Sequence, residues 1–253
     1  MNRLLVILTL FFFFVVTHSS WTIGASGSDT FESMKIFQTQ RPIYPGDLRR
    51  TGVAQGSATI AFEVDAEGKL IDYLPIGYSH GGFYTSAINA LTRWRFEPAR
   101  DAGQPRPVVQ ILTFNFEDGQ DVVAMSVGDN VVARINQIRS TVEEYRICRR
   151  DELDQEPVPV AIVNPRYPEG FLGSQLEGSA TIEFYIDESG IVRLPAVIEQ
   201  SAAEFASAAI EAVRQWRFEP PTKGGERVSV AARQRFHFAP SPPEQESDIL
   251  ESE

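Results

Sequence analysis

Few residues in this chain have the chemistry of a reactive site. It contains three histidines, His18, His80 and His237, and one cysteine, Cys148. A Cys-rich zinc site needs several such ligands and an intrachain disulfide needs two thiols, so neither can be built. His80 and His237 neighbour no Cys, Ser or Asp at the spacing of a triad or a metal site, and there is no Gly-rich phosphate loop and no HExxH. The sequence thus predicts no catalytic residue, no metal, no cofactor and no enzymatic activity. The remaining chemistry is that of an edge strand. In the alternating run from Val228 to Phe238, Ser229, Ala231, Arg233, Arg235 and His237 share the outward side. If that run ends a sheet, its unpaired N–H and C=O groups can be satisfied by another extended chain, and Arg233 and Arg235 suit an acidic one. The competing role for these arginines is to protect an exposed edge from aggregation.

A candidate edge needs a sheet, and an internal repeat supplies it. Gly56-Ser57-Ala58-Thr59-Ile60 recurs as Gly178-Ser179-Ala180-Thr181-Ile182, an offset of 122 residues. The same offset carries Asp65 to Asp187, Gly68 to Gly190, Phe83 to Phe205 and Phe116 to Phe238. It also carries Trp94-Arg95-Phe96-Glu97-Pro98 onto Trp216-Arg217-Phe218-Glu219-Pro220. Upstream the match continues with a slip of one residue, Tyr44-Pro45 against Tyr167-Pro168. The chain therefore holds two copies of one domain.

Each copy can be read twice. Ile60, Phe62 and Val64 alternate with Thr59, Ala61 and Glu63, as Ile182, Phe184 and Ile186 do with Thr181, Glu183 and Tyr185, which predicts a half-buried strand. Asp-x-x-Gly then supplies a glycine suited to positive φ, so a hairpin leads to a second strand near residues 69–76 and 191–198. Phe83, Ala87, Leu91 and Trp94, and likewise Phe205, Ala209, Val213 and Trp216, follow a helical period. Pro98 and Pro220 close the turn beyond it, because the residue before a proline is pushed out of the α region. A last alternating strand follows. In copy one it carries Val109, Ile111 and Thr113 on the outward side, an apolar set that suits a protein neighbour. The predicted fold class is α+β: two small β-β-α-β domains, each a helix on a short antiparallel sheet, joined by a helical linker. Trp94, Phe96, Trp216 and Phe218 read as core rather than as a ligand platform.

These motifs resemble the C-terminal domain of TonB-family proteins over residues 41–118 and 163–240. The markers are Tyr44, Pro45, Trp94, Phe96 and Pro98 in the first copy and Tyr167, Pro168, Trp216, Phe218 and Pro220 in the second. The resemblance implies a periplasmic protein in TonB-dependent transport across the outer membrane, whose sheet binds the N-terminal peptide of an outer-membrane receptor by β-strand addition. If anchored, it would also meet inner-membrane proton-driven motor proteins. TonB-like energy transducers carry a long Pro-rich spacer that this chain lacks, since Tyr44 lies only sixteen positions beyond Ser28, at most about 55 Å. That departure supports the alternative, a non-transducing structural scaffold of the cell envelope.

Composition sets the remaining bounds. With 253 residues, 43% of them apolar, the chain is long enough for one domain or two small ones. A net charge of −11 and the lack of a basic stripe argue against nucleic acid as a partner. Arg3 precedes an apolar run from Leu4 to Val16, about 20 Å as a helix and short of a bilayer core, which favours a cleaved signal peptide over residues 1–25 above a retained anchor. The remaining division is copy one at 33–118, a linker at 119–157, copy two at 158–240 and an acidic, disordered tail at 241–253. Val131, Ile135, Ile138, Val142 and Tyr145 form an apolar stripe, predicting an amphipathic helix over 130–150. Its self-association would form a homodimer and permit a disulfide between two copies of Cys148.

Overall fold

A computed structural model describes residues 31–119, 123–127, 144–174 and 176–240. The signal or anchor at 1–25, the acidic tail and residues 130–143 of the expected linker helix lie outside the described residues. Among the described residues, no helix is long and apolar enough to cross a membrane.

In the first copy, β1 (Gln55–Val64) and β2 (Leu70–Tyr78) form a hairpin. Helix α1 (Gly81–Leu91) follows, and β3 (Val108–Glu117) returns along the other side of β1. Two further strands complete this sheet. β4 (Val123–Val127) pairs with β3, and β5 (Tyr145–Arg146) pairs with β2, giving the order β5-β2-β1-β3-β4. In the second copy, β6 (Gly178–Ile186), β7 (Val192–Gln200), α2 (Ala203–Val213) and β8 (Val230–Phe238) repeat the pattern as a three-stranded sheet, β7-β6-β8. Both domains are β-β-α-β, as expected.

The repeated residues do the same work in each copy. Gly68 and Gly190 have φ of 82° and 80°, and a Cβ there would strike the carbonyl oxygen of Phe96 or Phe218. Gly56 lies under the ring of Phe83 and Gly178 under that of Phe205. The Trp94 indole N–H donates to Gln40 O at 2.9 Å, and that of Trp216 to Val163 O at 2.8 Å. Tyr44 and Tyr167 each donate at 2.5 Å to a carbonyl nine residues on, Val53 O and Leu176 O. The indole bonds fasten the segment before the first strand to the end of the helix, and the tyrosine bonds brace that segment internally. Trp94, Phe96 and Trp216 are buried, and Phe218 is half-buried at the margin of its core.

The strands are not half-buried. Thr59, Ala61 and Glu63 of β1 and Thr181, Glu183 and Tyr185 of β6 are as buried as the residues beneath the helices. The cause is tertiary: the two sheets stack face to face, with α1 and α2 on the outer sides. Ala61, Leu74, Ile76 and Ile111 of the first sheet meet Tyr185 and Leu194 of the second, with Ile147 between. Val109 also packs on this cluster, so the neighbour that the apolar side of β3 suits is the chain's own second copy. Polar pairs stitch the seam. Arg193 donates to Asp72 at 2.9 Å through Nε and Arg214 bonds to the buried Glu63.

The end of the expected linker helix is corrected. Tyr145 lies in β5 rather than on a helix, because the edge of β2 offers backbone partners and its ring stacks on Tyr78 at 5.1 Å. Residues 150–152 form a 3-10 turn held by Glu152, whose carboxylate binds Arg146 and accepts from Arg149 N at 2.9 Å. Cys148 is a buried free thiol, 5% exposed, so it is not presented for a bridge to a second chain.

Candidate functional site

A strand edge is available for docking only if nothing in the chain already pairs with it. In the first sheet β4 covers β3, with Ile111 opposite Val127 and Asn115 opposite Val123. Among the described residues the equivalent strand of the second copy, β8, is a sheet edge. It pairs with β6 in an unbroken register from Gly178↔Phe238 to Ile186↔Val230.

The direction of its free backbone groups follows from one contact. Cys148 N donates to Ser229 O at 2.9 Å, and Cys148 forms a parallel bridge with Val230. The Ser229 carbonyl therefore faces away from β6. Backbone groups two residues apart along a strand point the same way, so those of Ala231, Arg233, Arg235 and His237 also face outward. Val230, Ala232, Gln234 and Phe236 direct theirs to β6. The five sequence-predicted residues thus share the outer edge, but they are not equally available. Ser229 is buried and its carbonyl is already taken. Ala231 packs beside the intersheet cluster. The open stretch centres on Arg233, Arg235 and His237.

The other edge of this sheet, β7, is a poorer template. Its register with β6 slips at two places, Leu194 has φ of 50°, and Pro195 lacks an N–H. Bulges and prolines of this kind blunt an edge against further pairing.

Beside β8 runs a groove of about 720 Å³. Phe184, Trp216, Phe218 and Phe236 give it apolar surface, and Pro157, Pro159 and Ile162 line it from the segment that enters the second copy. Sequence reading missed this groove. The signal was the apolar run Val158 to Val163, which no predicted element absorbed and which leaves Val160 and Ile162 exposed.

Arg233, Arg235 and His237 are exposed, and Arg233 lies beside Glu183, with Nη2 3.6 Å from Oε1. That is an ion pair longer than a hydrogen bond, and Glu183 Oε1 has no hydrogen-bond partner. Burial pushes the Glu183 carboxyl above its ordinary range, and Arg233 opposes that rise. His80 lies elsewhere, 3.3 Å from Glu144, and among the described residues no group of His, Cys, Asp and Glu has the arrangement of a metal site.

No curated protein matched this chain. Among solved structures, the solution NMR structure of the Pseudomonas aeruginosa TonB CTD is similar, at 28% identity over 35% of this chain and 91% of that one, with a TM-score of 0.32. The family model described as Gram-negative bacterial TonB protein C-terminal matches residues 40–117 and again 163–240, more than half of the sequence, so the chain belongs to that family and carries its domain twice.

Proposed function

We propose that this is a periplasmic TonB-like protein of outer-membrane transport, in which β8 of the second copy binds the N-terminal peptide of an outer-membrane receptor by strand addition. The observation that carries the reading is the regular edge of β8, open among the described residues, with outward backbone groups at Arg233, Arg235 and His237 beside an apolar groove. Main-chain hydrogen bonds supply affinity in this mode, and side chains alternately meeting the arginines and the groove supply selectivity. Membership of the TonB family supports the transport setting. The first copy serves as a support, since its matching edge is filled by β4 and its sheet face by the second copy.

The reading is tested by titrating the exported protein with synthetic peptides from receptor N-termini, beside scrambled controls. Arg235→Pro removes one outward N–H while leaving pairing with β6 in place, as prolines on sheet edges do. It should weaken binding at least about tenfold, the scale of one lost hydrogen bond plus a steric clash. Peptide binding that is indifferent to Arg235→Pro places the site elsewhere. Absence of binding by every receptor peptide favours the envelope scaffold.

A further inference from the structure

The two copies differ in what fills the helix side of the last strand. In the first copy Leu112 of β3 is 2% exposed and belongs to the core beneath α1. The 122-residue offset carries it to Gln234 of β8, which is exposed and turns its side-chain amide to Arg235 O at 2.7 Å. Ile36 pairs with Phe96 and packs on the first core, whereas its counterpart by register, Pro159, pairs with Phe218 and is exposed. Met34, two residues before Ile36, packs on the same core, and the second copy has Pro157 there. Phe96 is 4% exposed and Phe218 only half-buried. A filled corner of the first core is thus the groove of about 720 Å³ beside Ala232 and Gln234 in the second. Its proline wall has no N–H to offer, and the backbone groups of Ala232 and Gln234 are spent on β6, so the groove favours apolar surface.

The first copy also shows where a strand on this edge stands. β4 lies opposite Ile111 to Asn115, positions that the offset carries onto Arg233 to His237. In that register Ser126 is opposite Leu112 and Ala124 opposite Phe114, so small residues occupy the two positions that face a filled core. We propose that a chain added to β8 carries a large apolar residue, aromatic or branched aliphatic, at the position opposite Gln234, that its side chain enters the groove, and that this residue decides which chains the edge accepts. The inference rests on strand addition at β8 as proposed above. The outward backbone groups belong to Arg233 and Arg235, so the pair at Gln234 is a non-hydrogen-bonded one, in which facing side chains stand closest. A small residue there leaves Trp216 and Phe218 facing water, and a charged one loses its solvation without a partner.

The test uses the exported protein and a probe of its own sequence, the synthetic peptide of residues 121–128, in the native form and with Ser126→Phe. The Phe form should bind at least about tenfold more tightly, the scale of burying one aromatic side chain, and should move the Trp216 indole N–H resonance. Gln234→Leu with Pro159→Ile restores the residues of the first copy and should abolish the preference. Gln234→Leu alone changes one exposed side chain and should reduce it, which guards against misfolding of the double variant. Equal affinity for the two peptides, binding by neither, or a preference that survives both variants overturns the proposal. Receptor peptides titrated in parallel separate the two claims. A preference for the Phe form with no receptor peptide bound retains the groove and sinks the receptor reading. Receptor binding that is lost in Arg235→Pro but indifferent to Gln234→Leu with Pro159→Ile retains that reading and sinks the groove.

Discussion

The outer edges of β3 and β8 are the same structural position in two copies of one domain, yet they have different neighbours. β3 is flanked by β4, whereas β8 borders a groove. The domains themselves are closely alike, down to the two indole N–H donors and the two glycines under phenylalanine rings. The domain motif therefore builds the sheet, and in the first copy the segment that follows fills its edge. The neighbours of that edge differ between the copies without any change in the residues that make the fold.

If the domains are equivalent in their cores and joined by their sheets, damage to either should be felt by both. Phe83→Ala and Phe205→Ala each empty a fully buried site beneath the helix, and each should cost about 3–5 kcal/mol. Calorimetry should show one transition shifted by either change, because the stacked faces share a buried cluster and the Arg214–Glu63 and Arg193–Asp72 pairs. Two separate transitions, each sensitive to one variant, would break the picture of coupled halves.

A smaller effect tests local equivalence. At Gly56 and at Gly178 an added Cβ would lie 2.2 and 2.1 Å from the phenylalanine ring above. Gly56→Ala and Gly178→Ala should therefore be destabilising by similar amounts, about 1–3 kcal/mol, in urea unfolding. A cost in one copy alone would show that the two helices sit differently on their sheets.

The smallest effect concerns the segment that joins the copies, which pairs with Tyr78 on one side and Ser229 on the other. Glu152 anchors it, and hydrogen bonding from Arg146 holds its carboxyl down at about 2. A depressed carboxyl stabilises the fold at pH values above its unfolded range and loses that contribution as pH falls toward 2. Because its cationic partners are partly in water, the contribution should be about 1 kcal/mol. The stability difference between the native chain and Glu152→Gln should hold steady above pH 5 and shrink on acidification. A difference unchanged down to pH 2 would remove Glu152 from this role.

Much of the fold was legible because the repeat let every local pattern be read in duplicate. Period-2 alternation gave β1, β6, β3 and β8, and the helical spacing of Phe83 to Trp94 and of Phe205 to Trp216 gave both helices. The linker was misread near Tyr145, where an apolar stripe at helical spacing lost to stacking on Tyr78 and pairing with β2. The candidate edge was half legible. Arg233, Arg235 and His237 were identifiable as the outward set of a final strand, but Ser229 belonged to the same set and is consumed by Cys148.

The sequence by itself determined the local architecture. Turn glycines, strand alternation, helix spacing and the Trp-Arg-Phe-Glu-Pro block act through backbone sterics and nearest neighbours, so they are written in consecutive residues. Only the tertiary structure decided which surfaces remained available. Glu63, Glu183 and Tyr185 have the polarity of solvent-facing strand residues, and they are buried because the second sheet covers the first. Whether an edge is open depends on groups far apart in the chain, as when Cys148 reaches Ser229. Hydrogen-bond satisfaction and face-to-face packing are set by such meetings in space, which no local pattern encodes.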